Sequence, residues 1–492
     1  MIGVIAGKEA EMAKTIEKEI NGVKRTCYPL NSGQKFLYYT CLMYTDRQES
    51  LDLGISMQFE GQMDFDALKR AIKKAYDRNE CSRIRLTEYE AGGNKGVLQY
   101  ISDEEPEEPE IVDLSDKTPE EAKEVLLKWT QVVFDLFDKP LLFIKLLKLP
   151  NNRSGYYMNV YHLLMDAYSS QMFMYDILDL YLAETRGLPE PKPMRSYIEA
   201  LEKELEYLES PKAAEDIAYF KNEVETTDPL FADYLRPSRL IETREKANDP
   251  TLRSAAVYGL VSDGDVFKDT WTVEETEKLI EFTKKNHLTV PCTLMTGVRC
   301  ALSTINNRQD NLSFRLMLNC RASLLEKRSG GNVINYVNAR HVIPETTTFK
   351  DTVDLYGNWQ KRMFRHAKAN YLHTIGFQRE KDKTPLSMPM HTYEPLGFSY
   401  WPPMEHKMPE DVKKGMELVM CSTRASQQNL YITNHHRPSD GALEIGMEYK
   451  LDENPLEDIK VFYKIMKGSI MMGIENPDIT LGEIFDEFEK LL

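Results

Sequence analysis

Hydrophobic and polar residues alternate with two different periods along this chain. In the segment LDLGISMQFEG, apolar residues such as Leu53, Ile55 and Met57 recur at every second position, which is typical of a strand with one buried face. Residues 65–79 instead repeat apolar side chains every three or four positions, as in an amphipathic helix, and Asp64 stands at the expected N-cap. The pattern predicts a strand followed by a helix.

The second half of the chain repeats this mixture. Helical periodicity predicts helices at 272–286 and 293–305, and an apolar run predicts a buried strand at 311–320. Further on, NLYIT and ALEIGMEYK both alternate with period two around the turn-forming residues 435–441, which predicts a β-hairpin. Strands and helices are mixed throughout, so the predicted class is α/β or α+β with at least two lobes.

A Pro-rich stretch divides the chain. Residues 186–196, RGLPEPKPMRS, contain three prolines and predict a linker. Before it we expect an N-terminal helical extension over 1–24 and an N-terminal lobe over 25–185. After it we expect a C-terminal lobe over 197–492, which begins with a long charged helix at 197–226.

Composition and charge exclude several classes of protein. With 62 Lys and Arg against 78 Asp and Glu, the net charge is -16, which argues against general affinity for nucleic acid or anionic membranes. No apolar run of about 18 residues predicts a membrane span. The seven cysteines form no Cys-x-x-Cys pair, so neither a disulfide framework nor a zinc site is indicated. The N-terminus lacks the pattern of a signal peptide, and we expect a cytoplasmic protein.

Two of the nine histidines are followed four residues later by an aspartate: His162 with Asp166, and His436 with Asp440. The second pair lies in HHRPSDG, at the tip of the hairpin predicted above. Proline, aspartate and glycine are the residues that such a turn needs for its own geometry. We therefore expect the second pair to belong to an exposed turn and not to an active site.

The first pair lies where an apolar strand ends. The strand delivers His162, a short loop follows, and a helix is predicted to begin near Ser169 or Ser170, both good N-caps. A carboxylate at Asp166 can brace the turn, so the pattern suits an oriented imidazole that acts as a general base. A core histidine with satisfied hydrogen bonds remains an equal interpretation of these residues.

The surroundings of the first pair resemble a known family. YHLLMDA (161–167) is similar to the HHxxxDG motif of condensation domains of nonribosomal peptide synthesis, which belong to the chloramphenicol-acetyltransferase-like acyltransferases. The resemblance covers about residues 25–490 and rests on the histidine motif and on five further motifs in the family's order. These five are YPLNSGQ (28–34), RNECSRIRL (78–86), VFDLFDKPLLFIKLLKL (133–149), NCRASLLEKRSGGNVINYVNARHVIP (319–344) and the closing hairpin NHHRPSDGALEIGMEYKLD (434–452).

This resemblance implies two chloramphenicol-acetyltransferase-like lobes arranged as a V with a substrate tunnel between them. It implies transfer of an acyl or aminoacyl group from a thioester to an amine or alcohol, with no metal and no bound cofactor. The donor would be carried on the phosphopantetheine arm of an acyl or peptidyl carrier protein, or on coenzyme A. Since we recognise no adenylation or carrier segment, we expect a stand-alone domain whose carrier proteins bind in trans.

The resemblance also assigns roles to residues. His162 would be the base or the orienting group for the attacking nucleophile. Asp166 would be structural and would pair with Arg321 of the C-terminal lobe, because an unpaired buried charge is expensive. Asn335 occupies the last position of the family's GxxxN segment and is expected to line the tunnel.

The chain departs from the family motif at two positions. Tyr161 replaces the first histidine, and Ala167 replaces the glycine. Related acyltransferases need only HxxxD, whereas the alanine adds a methyl group where the backbone turns and favours a negative φ. The departures leave two hypotheses: an acyltransferase, or an inactive condensation-like domain that binds a carrier protein or tailoring partner.

Overall fold

The computed structural model of the protein describes residues 14–43, 47–91, 94–227, 232–233, 239–249, 261–382, 394–404, 406–451 and 454–492. Helices and strands are mixed along these ranges, which confirms the predicted class. The helices are α1 Ser32–Met43, α2 Phe65–Arg78, α3 Pro119–Trp129, α4 Ala167–Arg186, α5 Tyr197–Leu208, α6 Pro211–Thr226, α7 Arg239–Ala247, α8 Val273–Asn286, α9 Val290–Ile305, α10 Leu324–Arg328, α11 Phe349–Met363, α12 Tyr371–Asp382, α13 Glu410–Gly415, α14 Leu456–Glu475 and α15 Leu481–Phe488. The strands are β1 Ile16–Ile20, β2 Val23–Pro29, β3 Asp52–Glu60, β4 Ile84–Ala91, β5 Asn94–Ile101, β6 Glu110–Asp113, β7 Leu142–Leu149, β8 Arg153–Tyr161, β9 Ser262–Thr270, β10 Asn311–Asn319, β11 Ile334–Val342, β12 Gly397–Trp401, β13 Met416–Cys421, β14 Ala425–Ser426, β15 Leu430–His436 and β16 Leu443–Lys450.

The first compact unit consists of Met1–Ala214, Asn319–Asn335 and Met404–Ala425. Its main sheet has the strand order β13-β3-β8-β7-β6, in which only β6 and β7 run parallel. Neighbouring side chains of a strand point to opposite faces. On one face Tyr156 reaches α4, while on the other Tyr157 joins a buried cluster with Leu126 and Leu127 of α3. The central strand β8 is therefore buried on both faces, which holds its end rigidly. A smaller antiparallel sheet has the order β1-β2-β5-β4.

The second compact unit consists of Glu215–Leu318, Tyr336–Pro403 and Ser426–Leu492. Its sheet has the order β11-β10-β12-β15-β16-β9-β14, and β12 runs parallel to both β10 and β15. Helix α9, buried along nearly its whole length, packs against α11 and α14 and forms the core of this unit. The predictions of α8, α9, β10 and the β15–β16 hairpin are confirmed.

The N-terminal helix predicted for residues 1–24 is wrong where the structure describes it. Strands β1 and β2 form an antiparallel hairpin whose turn contains Asn21 and Gly22, with φ angles of 51° and 76°. Asn-Gly is the sequence that a two-residue turn with positive φ angles favours. The remainder of the prediction, residues 1–13, lies outside the described residues.

The single helix predicted for 197–226 is also wrong. It is divided into α5 and α6, and Pro211 begins the second helix because proline cannot donate the backbone hydrogen bond that a continuous helix needs.

The compact units also divide the chain at positions other than 186–196. Residues 319–335 and 404–425 belong to the first unit, where β13 of the latter segment pairs with β3.

Among the described helices, none alone is long and apolar enough to cross a membrane, and only α8 and α9 together, bent by 108°, meet that criterion.

Candidate active site

His162 lies at the end of the central strand of the first unit. It follows Tyr161, the last residue of β8, and its backbone N–H donates to the Leu51 carbonyl at 2.8 Å. The three residues 163–165 are completely buried and anchor the turn that follows. The imidazole therefore extends from a fixed backbone, and the residue as a whole is partly exposed.

Asp166 caps the helix after this turn. Its Oδ1 accepts the Ser169 N–H at 2.9 Å, and α4 begins at Ala167. The predicted cap at Ser169 or Ser170 is wrong, because the aspartate already satisfies a free N–H group of the first turn. Ala167 is thus the first helical residue and is not among the residues with positive φ, so its methyl group suits the backbone.

Asp166 also forms a buried ion pair. Arg321 Nη1 donates to Asp166 Oδ2 at 2.7 Å, and the two side chains are 1% and 2% exposed. Burial raises the pKa of Asp166, but the Arg321 charge and hydrogen bonds from Arg321, Ser169 and Val333 outweigh it and hold the pKa below its usual value. The resemblance implied a partner in the C-terminal lobe. In the structure, Asn319–Asn335 belongs to the same compact unit as Asp166, so the pair forms within one unit.

Arg321 connects this pair to a glycine turn. Its Nη2 donates to Ser169 Oγ at 2.6 Å and to the Gly331 carbonyl at 2.8 Å, and its guanidinium lies 4.9 Å from the Tyr168 ring centre. Gly331 has a φ of +81°, and a Cβ atom there would come within 2.3 Å of Tyr197. Only glycine fits this turn, which carries the following residues toward His162.

Asn332, which no sequence motif singled out, contacts the histidine directly. Its Nδ2 donates to the His162 carbonyl at 2.6 Å and lies 3.2 Å from His162 Nδ1. Asn335, the residue assigned by the motif, is buried as the second residue of β11, and the contact with His162 is made by Asn332. The sequence signal for Asn332 was that a polar residue directly follows the Gly330–Gly331 pair. Nothing in the local spacing indicated that it would contact His162.

The surroundings of His162 favour a neutral imidazole. Burial lowers its pKa from 6.5, although the carbonyls of His162 and Met165 and the charge of Asp166 oppose this shift. The ring is therefore uncharged at pH 7. A neutral, oriented imidazole can accept a proton through one nitrogen or donate a hydrogen bond through the other.

Tyr161, the first departure from the motif, points into the core. Its side chain is 1% exposed, and its ring meets Phe134 edge-on with centroids 6.0 Å apart. The tyrosine side chain, which stands in place of the family's first histidine, therefore packs in the interior of the unit. Its contact with Phe134 does not cover His162.

The second His-x-x-x-Asp pair lies at the tip of the β15–β16 hairpin, as predicted. His436 Nε2 is 3.0 Å from the Tyr400 hydroxyl, and its Nδ1 is 2.9 Å from the Gly441 carbonyl. Asp440 pairs with Arg437 of the same turn, whose Nε donates to it at 2.8 Å. Both residues therefore serve the turn and its neighbouring strand.

The described residues contain no group of three or more His, Cys, Asp or Glu side chains arranged to hold a metal ion. Their cysteines are all free thiols.

Known proteins resemble this chain over most of its length. The sequence model of the condensation domain matches residues 24–490. The chain belongs to the condensation-domain family. This condensation domain is 23% identical over 458 residues to one of the plipastatin synthase subunits of Bacillus subtilis (strain 168), covering 93% of the chain and 17% of that relative. It is 22% identical over 477 residues to surfactin synthase subunit 1 of the same organism, covering 95% of the chain and 12% of that relative. The chain thus spans less than a fifth of these relatives.

Solved structures share its fold. The first condensation domain of the calcium-dependent antibiotic synthetase, in complex with a substrate analogue, superposes with a TM-score of 0.73 at 16% identity, covering 93% of this chain and 98% of the other. A starter condensation domain of rhizomide synthetase in complex with C8-CoA gives 0.73 at 14% identity, covering 93% and 96%. The condensation domain of the monacolin K polyketide synthase gives 0.74 at 14% identity, covering 92% and 99%. The fold is that of condensation domains.

Proposed function

We propose that this condensation domain transfers an acyl or aminoacyl group from a thioester to an amine or alcohol and forms an amide or ester. The family consists in general of acyltransferases that form amides. One observation carries the proposal for this chain: His162 is a partly exposed residue whose neutral imidazole is held at a strand end and contacted by the buried amide of Asn332.

The reaction exchanges one bond at the acyl carbon. The amine nitrogen or alcohol oxygen attacks the thioester carbonyl and forms a C–N or C–O bond, and the C–S bond then breaks. The nucleophile loses one proton, the departing thiolate gains one, and a free thiol is released. Because binding both reactants side by side removes much of their translational freedom, positioning supplies a large part of the rate. His162 acts on the atoms that exchange these bonds.

A thioester of phosphopantetheine or of coenzyme A is the proposed donor, since both present the same thiol arm. The rhizomide synthetase domain was solved in complex with C8-CoA, which supports this donor class. The acceptor is a small amine or alcohol. Carrier proteins acting in trans and free acyl-coenzyme A are the two sources of donor that an experiment has to distinguish.

A domain that binds a carrier protein without catalysis is the second candidate, because Tyr161 and Ala167 depart from the family motif. Tyr161 packs in the core, and Ala167 occupies the first turn of α4. Neither displaces Asp166 from Arg321 or His162 from Asn332, and this supports acyl transfer over the inactive domain.

The test is incubation of the full chain with acyl-coenzyme A and acyl-carrier thioesters, each mixed with amines and alcohols. Products are identified by mass spectrometry and the released thiol is measured separately. We expect a product from wild type that His162→Ala does not form. A product that both proteins form equally would contradict the proposed site, and carrier binding without any product would favour the second candidate.

A further inference from the structure

One face of the sheet in the second unit carries polar side chains along two neighbouring strands. On β10 these are Ser313 and Arg315, and on β11 they are Tyr336, Asn338 and Arg340, each two residues apart and therefore on the same side of its strand. Ser313, Asn338 and Arg340 are no more than 8% exposed. Polar groups with this degree of burial need partners.

Arg315 and Asn338 lie beside each other on this face. The two strands are neighbours and are joined by backbone hydrogen bonds at both ends, from Ile343 N–H to the Asp310 carbonyl and from Cys320 N–H to the Val333 carbonyl. The strands therefore run antiparallel, in a register that places Arg315 opposite Asn338. The Arg315 guanidinium lies 5.6 Å from the ring centre of Tyr336, the next residue of β11 on the same face.

The two arginines of this face differ in how their charges are compensated. Arg340 Nη2 lies 3.5 Å from Glu394 Oε1 and donates to Gln378 Oε1 at 2.6 Å. Among the described residues none forms an ion pair with Arg315, whose hydrogen bond to Gln428 Oε1 is long at 3.4 Å. The positive charge of Arg315 therefore lacks a carboxylate partner.

Two buried donors on these neighbouring residues also lack acceptors. Nε of Arg315 and Nδ2 of Asn338 are buried and have no hydrogen-bond partner. The Tyr371 hydroxyl donates to Oδ1 of Asn338 at 3.0 Å, so the NH₂ group is the unpartnered end of this amide. Arg315 as a residue is partly exposed, so this part of the face is open to solvent. A positive charge and two free donors together match an anionic oxygen ligand, and a carboxylate fits the fork of a guanidinium.

We infer that Arg315 and Asn338 bind a carboxylate group of a small substrate, and that Arg315 determines the preference for it. The role in substrate selection rests on the proposed acyl transfer, in which the carboxylate belongs either to the acyl donor or to the amine acceptor. In the chain, β10 and β11 are joined by residues 320–333, the segment that contacts His162. Binding of the carboxylate does not require the reaction and can be measured without it.

The direct test is a titration of the full chain with glutarate in the absence of any thioester. The Nε–H signals of the arginines are recorded by ¹⁵N NMR, and that of Arg315 is assigned by its loss in Arg315→Gln. We expect glutarate to shift this signal to saturation and glutaramide, its uncharged diamide, to leave it unchanged. No saturable shift with glutarate, or an equal shift with both compounds, would overturn the inference.

Variants separate the site from the general charge of the unit. We expect Arg315→Gln to lower the calorimetric affinity for glutarate about 10- to 100-fold, the usual effect of losing a charge-assisted hydrogen bond. Arg365→Gln removes the same charge from an exposed position of this unit and should bind as wild type does. Asn338→Asp supplies the missing carboxylate beside Arg315 and should also prevent binding. Wild-type affinity in either site variant would contradict the inference, and the wild-type titration decides it if these variants do not fold.

Acyl transfer then identifies which substrate carries the carboxylate. One pair of acceptors is γ-aminobutyrate and its amide, and one pair of donors is succinyl-coenzyme A and butyryl-coenzyme A. We expect wild type to prefer the carboxylate in one pair through a lower KM, and Arg315→Gln to lose that preference. Equal rates within both pairs would contradict a role in substrate selection. If no thioester reacts, the proposed function fails, whereas the glutarate titration still decides whether the site binds a carboxylate.

Discussion

Arg321 donates from Nη1 to Oδ2 of Asp166 at 2.7 Å, and neither side chain is more than 2% exposed. The carboxylate accepts two further hydrogen bonds, from the N–H groups of Ser169 and Val333. This pair fixes the start of α4 and the glycine turn in relation to His162, because each of its members is bonded to one of them. The ion pair therefore holds in place the segments around His162, the residue that we propose as the catalytic group.

Removal of one partner should destabilise the first unit strongly. Asp166→Ala leaves the Arg321 charge buried and uncompensated, which costs about 3–5 kcal/mol. The matched control is Asp440→Ala, since Asp440 pairs with the partly exposed Arg437 in the other His-x-x-x-Asp segment and such pairs contribute about 0–1 kcal/mol. Urea unfolding of the two variants measures the difference. Equal losses of stability would contradict the buried pair described here.

Gly331 should tolerate no side chain. Gly331→Ala places a methyl group within 2.3 Å of Tyr197 at a φ of +81°. Gly187→Ala introduces the same positive-φ strain where nothing lies within 4 Å, so it isolates the backbone cost of about 1–2 kcal/mol. We expect Gly331→Ala to lower the melting temperature clearly more than Gly187→Ala. A similar shift for both would show that the Tyr197 contact does not restrict this turn.

The contribution of Asp52 in β3 to the stability should fall as the pH rises above about 4. Burial raises the pKa of Asp52 to about 8, against the hydrogen bond that Asn159 donates at 2.9 Å. An unfolded aspartate ionises near pH 4, so the folded state binds the additional proton between about pH 4 and pH 8 and loses stability as the pH rises. Groups whose pKa is lowered in the folded state act in the opposite direction: Asp166 does so at and below its usual pKa, and His341, whose pKa burial lowers to about 3, does so up to about pH 6.5.

Asp52→Asn provides the measurement for this pH dependence. The variant cannot ionise and keeps an amide of the same shape, so the unfolding midpoint of wild type should fall relative to that of the variant between pH 5 and pH 8. Parallel curves for the two proteins would mean that Asp52 is ionised throughout this range in the folded state.

The sequence allowed prediction of those features that depend on neighbouring residues. The spacing of His162 and Asp166 at the end of an apolar strand indicated the candidate site, and the turn residues at 435–441 identified the hairpin. One such local feature was predicted wrongly. Asn21 and Gly22 form a hairpin turn where a helix was expected, although Asn-Gly is itself a turn signal.

Features that depend on distant segments were not predictable in this way. The contact between Asn332 and His162 joins residues far apart in the chain, and neither residue has a local pattern that indicates the other. Likewise, Asn319–Asn335 joins the first unit through contacts such as that of Arg321 with Ser169. The hydrophobic periodicity of the sequence does not indicate such contacts. Tertiary packing decides both.

The most direct measurement compares acyl-transfer rates of wild type, His162→Ala and His436→Ala with the same thioester and acceptor. His436 belongs to the same kind of His-x-x-x-Asp segment but is held by Tyr400 and Gly441 in its hairpin region. We expect His162→Ala to lose about 10²- to 10⁴-fold in rate, the usual contribution of a positioned side chain that moves a proton in the reaction, and His436→Ala to retain the wild-type rate. An unchanged rate in His162→Ala, or a comparable loss in His436→Ala, would contradict acyl transfer at His162.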